Sequence, residues 1–306
     1  QWNVSAQQAL GKAQSVTVSY VGSAARDLYR KNRYSAPNPT FTSSIYLTGN
    51  SGYSDYNSLQ VKFDRRLSKG LQALVSYTWS HSQDNASDDQ SYIAVAPTAF
   101  FDPNVDYGDS DNDVRHVVSG ALTYQIPSVF TSGVGHALLS DWSIDGLFNA
   151  RSAPPVFILG GSVSSGGVVY APRPNVVPGV PVYLYGSQYP GGTALNKAAF
   201  SNPGSTQGNL ERNSIRGFGA WQADLALHRQ FHLTKSVGLQ FRAEVFNVFN
   251  HTNFGPPAQQ GSANNNITSA TFGLATQTLG NSLGGLNPIF QFGGPRSGQF
   301  AVRLQF

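Results

Sequence analysis

Nine stretches of this chain alternate apolar and polar side chains one by one, and no other feature restricts its fold as tightly. In the run LQFRAEVF, Leu239, Phe241, Ala243 and Val245 take one parity while Gln240, Arg242 and Glu244 take the other. A period of two belongs to a β-strand with one apolar face and one polar face. The pattern recurs near 2–10, 14–23, 55–67, 70–81, 114–126, 141–151, 219–230, 236–249 and 298–306. Val16, Val18 and Tyr20 oppose Ser15, Thr17 and Ser19, and Leu71, Ala73, Val75, Tyr77 and Trp79 oppose Gln72, Ser76, Thr78 and Ser80. Helical periodicity prevails over no comparable length, so the chain is expected to be all-β.

The connections fall into two kinds. GKA at 11–13, SKG at 68–70 and HLTKS at 232–236 are short, with a middling link around 127–140. The segments 24–54, 82–113, 152–218 and 250–297 are long and rich in Gly, Pro, Ser, Asn and Tyr. Tight turns at one end and large loops at the other describe an antiparallel meander with unlike ends. Outer-membrane barrels have that asymmetry, with short periplasmic turns and longer extracellular loops.

Composition favours the same reading. Charged residues make up 12% of the chain, about half of the roughly 25% usual for soluble domains, yet the hydrophobic fraction of 40% is not raised to compensate. A wall with one face in hydrocarbon and one facing a lumen needs few charges. The competing reading is a soluble β-sandwich, in which the same apolar parity faces a core. The net charge of +4 is not gathered into a tract beyond YRKNRY at 29–34, so the basic stripe of a nucleic-acid binder is missing. Cysteine is absent, which excludes disulfides, thiolate metal sites and a cysteine nucleophile. Methionine is absent too, even at position 1, and the chain is expected to be a processed or truncated product. No apolar run of 18 or more residues marks a transmembrane helix.

A barrel strand crossing hydrocarbon needs about 9–11 residues, turns one parity to lipid and the other to the lumen, and places aromatics at the interfaces. Residues 236–249 meet each requirement. Phe246, Phe249 and Phe254 are then expected in a girdle near the outer leaflet, and Tyr77, Trp79, Trp142 and Trp221 in similar belts at strand ends.

Four segments carry a family resemblance: YNSLQVKFDRRLSKGLQALVSYTWSHSQD (56–84), DSDNDVRHVVSGALTYQIP (109–127), AEVFNVFNHTNF (243–254) and GQFAVRLQF (298–306). Together they resemble the C-terminal part of TonB-dependent outer-membrane receptors of the Oar-like branch, over nearly the whole chain. The resemblance implies a location in the bacterial outer membrane and a barrel of about 22 strands. It also implies a plug domain and import of a scarce ligand with energy from the TonB complex. Neither the plug nor the periplasmic box that contacts the energising protein has a counterpart here. Residues 1–306 are therefore expected to be the C-terminal part of the barrel domain, a partial barrel of about 9–10 strands. Arg115, Asp224, Arg242, Glu244 and Arg303 are the lumen-facing candidates for ligand contact, with the plainer role of solvating the wall or holding the plug. Phe306, with Phe300, Val302 and Leu304 on its face, resembles the terminal signal read by the barrel-assembly machinery. The partners expected are therefore outer-membrane lipid, that machinery and the TonB complex.

Other chemistry is poorly supported. Asp109, Asp111 and Asp113 have the one-apart spacing of calcium-loop ligands, but the glycine at the sixth loop position and the glutamate at the twelfth are missing. A polar approach to a strand is the favoured reading of that run. The six histidines show no HExxH spacing, and no GxSxG elbow is present. No enzyme and no cofactor is expected. A passive porin and a barrel-anchored surface or adhesion protein remain as alternatives to the receptor.

Overall fold

The computed structural model describes residues 1–35, 40, 44–87, 104–128, 132–165, 168–232, 234, 237–258, 263–283 and 292–306. Nine long strands form one antiparallel sheet in strict chain order. They are β1 (Trp2–Leu10), β2 (Gln14–Ser35), β3 (Ser44–Ser68), β4 (Leu71–Asp84), β5 (His116–Gln125), β6 (Trp142–Arg151), β7 (Ala220–His232), β8 (Gly238–Phe246) and β9 (Ser297–Gln305). A two-residue strand, Gly108–Asp109, extends the sheet beside the end of β4. β1 and β9 stand at opposite ends of the order and do not pair with each other.

The register turns the alternation into two faces. Val18, Val61, Tyr77, Val118, Ala150 and Trp221 form one row across β2 to β7. One residue away, Thr17, Lys62, Ser76, Ser119, Asn149 and Gln222 form the next row, on the opposite face. No second sheet covers the apolar face among the described residues, and Val4 at 72%, Val302 at 66% and Phe300 at 81% stand exposed on it. That overturns the sandwich alternative, which requires the apolar parity to be the buried one. The turns match the faces: Lys69 (φ 53°) and Gly70 (φ 77°) both adopt left-handed backbone, the geometry of a two-residue type I′ hairpin.

Two expectations need correction. The alternation placed strands at 14–23 and 55–67 with a loop between them, whereas β2 and β3 run on as a long hairpin to Ser35 and from Ser44. Its ladder shifts register around Leu28, where Asp27 takes a positive φ of 57°. Beyond the bulge neither face alternates cleanly, so the pairing left no period-two signal. The other correction is a seven-residue helix, Gly133–Leu139, in the link between β5 and β6, too short for a helical period to show. The remaining strand limits lie within about three residues of those expected.

The hydrophobic core lies in the long loops and not on the sheet. Val156, Ile158, Leu195, Ala199, Phe200, Leu210, Ile215, Ala258, Ile267 and Phe272 form it, with Val176, Val180, Val182 and Tyr183 packed around. Phe200 and Phe272 meet edge to face at 5.7 Å, an arrangement favoured by the ring quadrupoles. Short hairpins thread this cap, including Tyr183–Tyr185 with Thr193–Leu195 and Pro155–Val156 with Ile215–Arg216.

Candidate functional site

At the loop end of the sheet, five aspartates and five arginines interlock. Asp106 accepts from Arg30 Nη2 at 3.0 Å and from Arg173 Nη1 at 2.6 Å, with all three side chains buried. Arg212 Nη1 donates to Asp84 Oδ1 at 2.5 Å, and its Nη2 donates to Asp111 Oδ1 at 3.1 Å and to Ser87 Oγ at 2.7 Å. Arg115 bridges Asp113 at 2.7 Å and Asp109 at 3.1 Å. Arg216 reaches Asp113 at 2.6 Å and also pairs with Asp109. The formal charges balance, as burial demands, because an unpaired ion in this environment would cost several kcal/mol.

The pairs tie the cap to the strand ends. Arg30 is on β2 and Asp84 ends β4, while Arg173, Arg212 and Arg216 come from the loop that joins β6 to β7. Tyr183 Oη donates to the carbonyl of Arg216 and accepts from its N–H, both at 3.0 Å, which docks the cap on the same arginine. Burial pushes the Tyr183 phenol above its ordinary range. Burial would also raise Asp109, but hydrogen bonding from His81 and the adjacent Arg216 and Arg115 guanidiniums outweighs it and holds that carboxyl below its usual range. Desolvation opposes the charge on Arg212, yet the carboxylates of Asp84, Asp111 and Asp106 keep its pKa above the ordinary value.

The acidic run suggested as a cation loop is divided among these arginines. Asp109 and Asp113 share Arg115 and Arg216, whereas Asp111 faces Arg212 and Asn213. His81, Asp109 and Asp113 do bring ligand atoms within 4.8 Å of one another, but a cation there would have to displace two guanidiniums. Arg115 therefore serves the latch at the sheet's end. Sequence reasoning missed its partners Asp84, Asp106, Arg30, Arg173, Arg212 and Arg216. The available signal was the placement of arginines in long loops of a chain so poor in charge.

Along the polar face of β5 to β9 a second network runs. Asp145 accepts from Thr123 Oγ1 at 2.8 Å and from Arg242 Nη1 at 3.0 Å. Arg242 Nε donates to Glu244 at 2.6 Å, and Gln299 also donates to Glu244. His228 Nδ1 lies 2.9 Å from Asp145 Oδ2 without the alignment of a hydrogen bond. Asp224 accepts from Gln222 at 2.9 Å and from the Asn247 N–H at 2.8 Å. The suggested residues Arg242 and Glu244 thus meet in one network, Asp224 stands in another, and Arg303 is exposed on β9 opposite Gln240.

The aromatics divide between the two ends. Trp221 stacks on His251 at 4.3 Å and meets Phe249 at 5.8 Å and Phe148 at 6.4 Å at the loop end. Tyr77 donates to, or accepts from, His116 Nδ1 at 2.8 Å, and Trp79 is exposed beside Leu59. Trp142 belongs to the turn end, edge-on to Phe241 at 6.5 Å and under the Arg229 guanidinium. Phe246 ends β8 opposite Ser297, on the polar parity. Phe254 packs on Phe218 at 6.0 Å and bridges Thr278 inside the cap. Phe300, Val302, Leu304 and Phe306 line the exposed apolar side of β9 and its end.

A family model described as an outer membrane beta barrel domain matches residues 1–292. No curated protein sequence matches the chain. Among solved structures it is similar to the outer membrane transporter YddB from Escherichia coli, with a TM-score of 0.51 and 11% identity. That superposition covers 99% of this chain and 32% of the transporter, so the chain spans about a third of its length.

Proposed function

The chain belongs to the outer membrane β-barrel domain family, and from that premise we propose that it forms part of the wall and the external cap of a TonB-driven importer of a scarce ligand. It resides in the bacterial outer membrane. The apolar face meets lipid, the polar face a lumen, the turns the periplasm and the cap the exterior. One observation carries the proposal: loops built of Gly, Ser and Asn are organised around an apolar core and locked to the strand ends by buried ion pairs. A passive porin gains nothing from such fixed geometry, whereas a receptor that captures a dilute ligand gains affinity from loops already ordered before binding.

Further strands complete the barrel in this reading. Unpaired backbone groups on the edges of β1 and β9 would each cost several kcal/mol in hydrocarbon, so both edges pair with strands outside this sheet. A plug inside the completed barrel would close the lumen and meet TonB. The test is capture of the native protein, extracted from outer membranes, by the immobilised periplasmic domain of TonB. Retention above that of a general porin is expected. Equal retention of the two would remove the energised reading and leave a porin or a surface anchor.

A further inference from the structure

Gly120 and Gly146 stand in the middle of β5 and β6, on the apolar face, and the local backbone calls for glycine at neither. Neither takes a positive φ, and the ladders that flank them run without a bulge. A Cβ on Gly146 would come no nearer than 3.6 Å to Leu225 Cδ2, and one on Gly120 no nearer than 3.9 Å to the Leu74 carbonyl oxygen. Glycine weakens a strand interior, and where it serves no bulge it marks a tight bend or the close approach of another molecule. The register places Gly146 between Leu122 and Leu225 in one row, and Gly120 between Val75 and Phe148 in the next. Leu122, Phe148 and Leu225 stand exposed as ridges, and the glycines among them open a groove of about 300 Å³ lined almost wholly by carbon. Beyond β8 the Val248 N–H donates to the Ala223 carbonyl at 2.9 Å, which sets Phe249 at the loop end of the groove, against Trp221.

We infer that this groove seats one acyl chain of an outer-leaflet lipid at a fixed place on the barrel's surface. Its lining offers water no polar partners, and it opens on the face turned to hydrocarbon. A slender chain lying between the ridges replaces the dispersion contacts that the missing side chains forgo. Depth identifies the leaflet. His116, opposite Trp79 and hydrogen-bonded to Tyr77 Oη at 2.8 Å, marks the interface at the loop end of β5. From His116 to Leu122 the strand runs about 20 Å at roughly 3.3 Å per residue. A tilt of about 40° converts that to about 15 Å of depth, half of a hydrocarbon core about 30 Å thick. The groove therefore ends near the midplane and lies in the outer half of the bilayer. Strands that complete the barrel join at β1 and β9 and leave β4 to β7 uncovered, while a plug would lie on the opposite face. The inference rests on the outer-membrane location and not on the importer reading.

The probe is a phosphatidylcholine with a diazirine on one acyl chain, either near its carboxyl or at its methyl end, photolysed in phosphatidylcholine vesicles that hold the native protein from outer membranes. The methyl-end probe should label Leu122 and Gly146, and the carboxyl-end probe Phe249, each at least fivefold above Val302, which faces lipid from the middle of β9. Gly146→Leu, which fills the groove, should remove the enrichment at Leu122. Gly146→Ala, whose methyl has room, should reach the outer membrane at full heat-modifiable yield and keep part of the enrichment. Labelling no stronger than at Val302, or enrichment unchanged in Gly146→Leu, would overturn the groove as a chain site. Loss of folding in Gly146→Ala would do the same, because the glycine would then serve a bend in the sheet. The reverse order of the two probes would place the chain in the other leaflet and refute the assignment. A photo-crosslinker at Leu225 that captures a polypeptide in intact cells would show the groove covered by protein. Labelling of the native protein is read independently of either variant.

Discussion

Arg212 and Asp84 are 128 positions apart in sequence, yet the guanidinium donates to the carboxylate at 2.5 Å with both side chains more than nine-tenths buried. This contact joins the cap to the end of β4. Arg212 also donates to the carbonyls of Asp84 and Asp106, at 3.0 and 3.2 Å, so removing it strands several acceptors at once.

Arg212→Ala should therefore release the cap, at a cost of about 3–5 kcal/mol typical of breaking a buried pair from one side. Limited proteolysis of intact cells should cleave the 152–218 loop faster in the variant, while the barrel remains in the membrane. Cleavage at the wild-type rate would show that the apolar core holds the cap unaided.

Acid should loosen the same latch. The Asp109 carboxyl is held below its ordinary value by His81, Arg216 and Arg115. A depressed folded-state pKa contributes stability above the unfolded value of about 3.8, and that stability disappears as pH falls through the folded value. Arg212 is shifted upward and keeps its charge throughout. Cap protection from an acid-stable protease should be level from pH 7 to 5 and fall below about pH 4, and Asp109→Asn should remove part of that fall. An identical acid profile in the variant would place the titration elsewhere.

The two faces can be separated at adjacent residues in the middle of β9. Val302 is exposed on the apolar face, and Ala301 lies on the polar one opposite Arg242. Val302→Arg should destabilise by about 2–4 kcal/mol, the cost of a cation near the bilayer midplane. Ala301→Arg should cost far less. Urea unfolding in lipid vesicles measures both, and equal costs would contradict the assignment of faces.

Phe306 is expected to act in assembly. It follows the last residue of β9 and is almost fully exposed, in the parity of Phe300, Val302 and Leu304. Deleting it, or replacing it with Asp, should lower the amount of heat-modifiable, folded protein in the outer membrane several-fold. Full yield from both variants would leave Phe306 as a lipid-facing anchor only.

The strands were legible because a membrane wall has two unlike faces, and a period of two survives wherever both faces are present. Leu239, Phe241, Ala243 and Val245 show it plainly. The β2–β3 hairpin beyond Leu28 was not legible, since both of its sides lose that contrast. Phe254 read as a girdle residue from its distance to β8, but the chain folds back and packs it on Phe218. The latch was hidden for a different reason: Arg30 and Asp106, or Arg212 and Asp84, meet through long-range pairing that no local spacing encodes.

The most direct test of an importer wall is ionic conductance of the native protein in a planar bilayer. A barrel with its lumen plugged and its cap locked should pass little current at rest, and should conduct reversibly once about 3–4 M urea, in the usual range for releasing small domains, dislodges the plug. Steady porin-like conductance without urea would contradict the proposal.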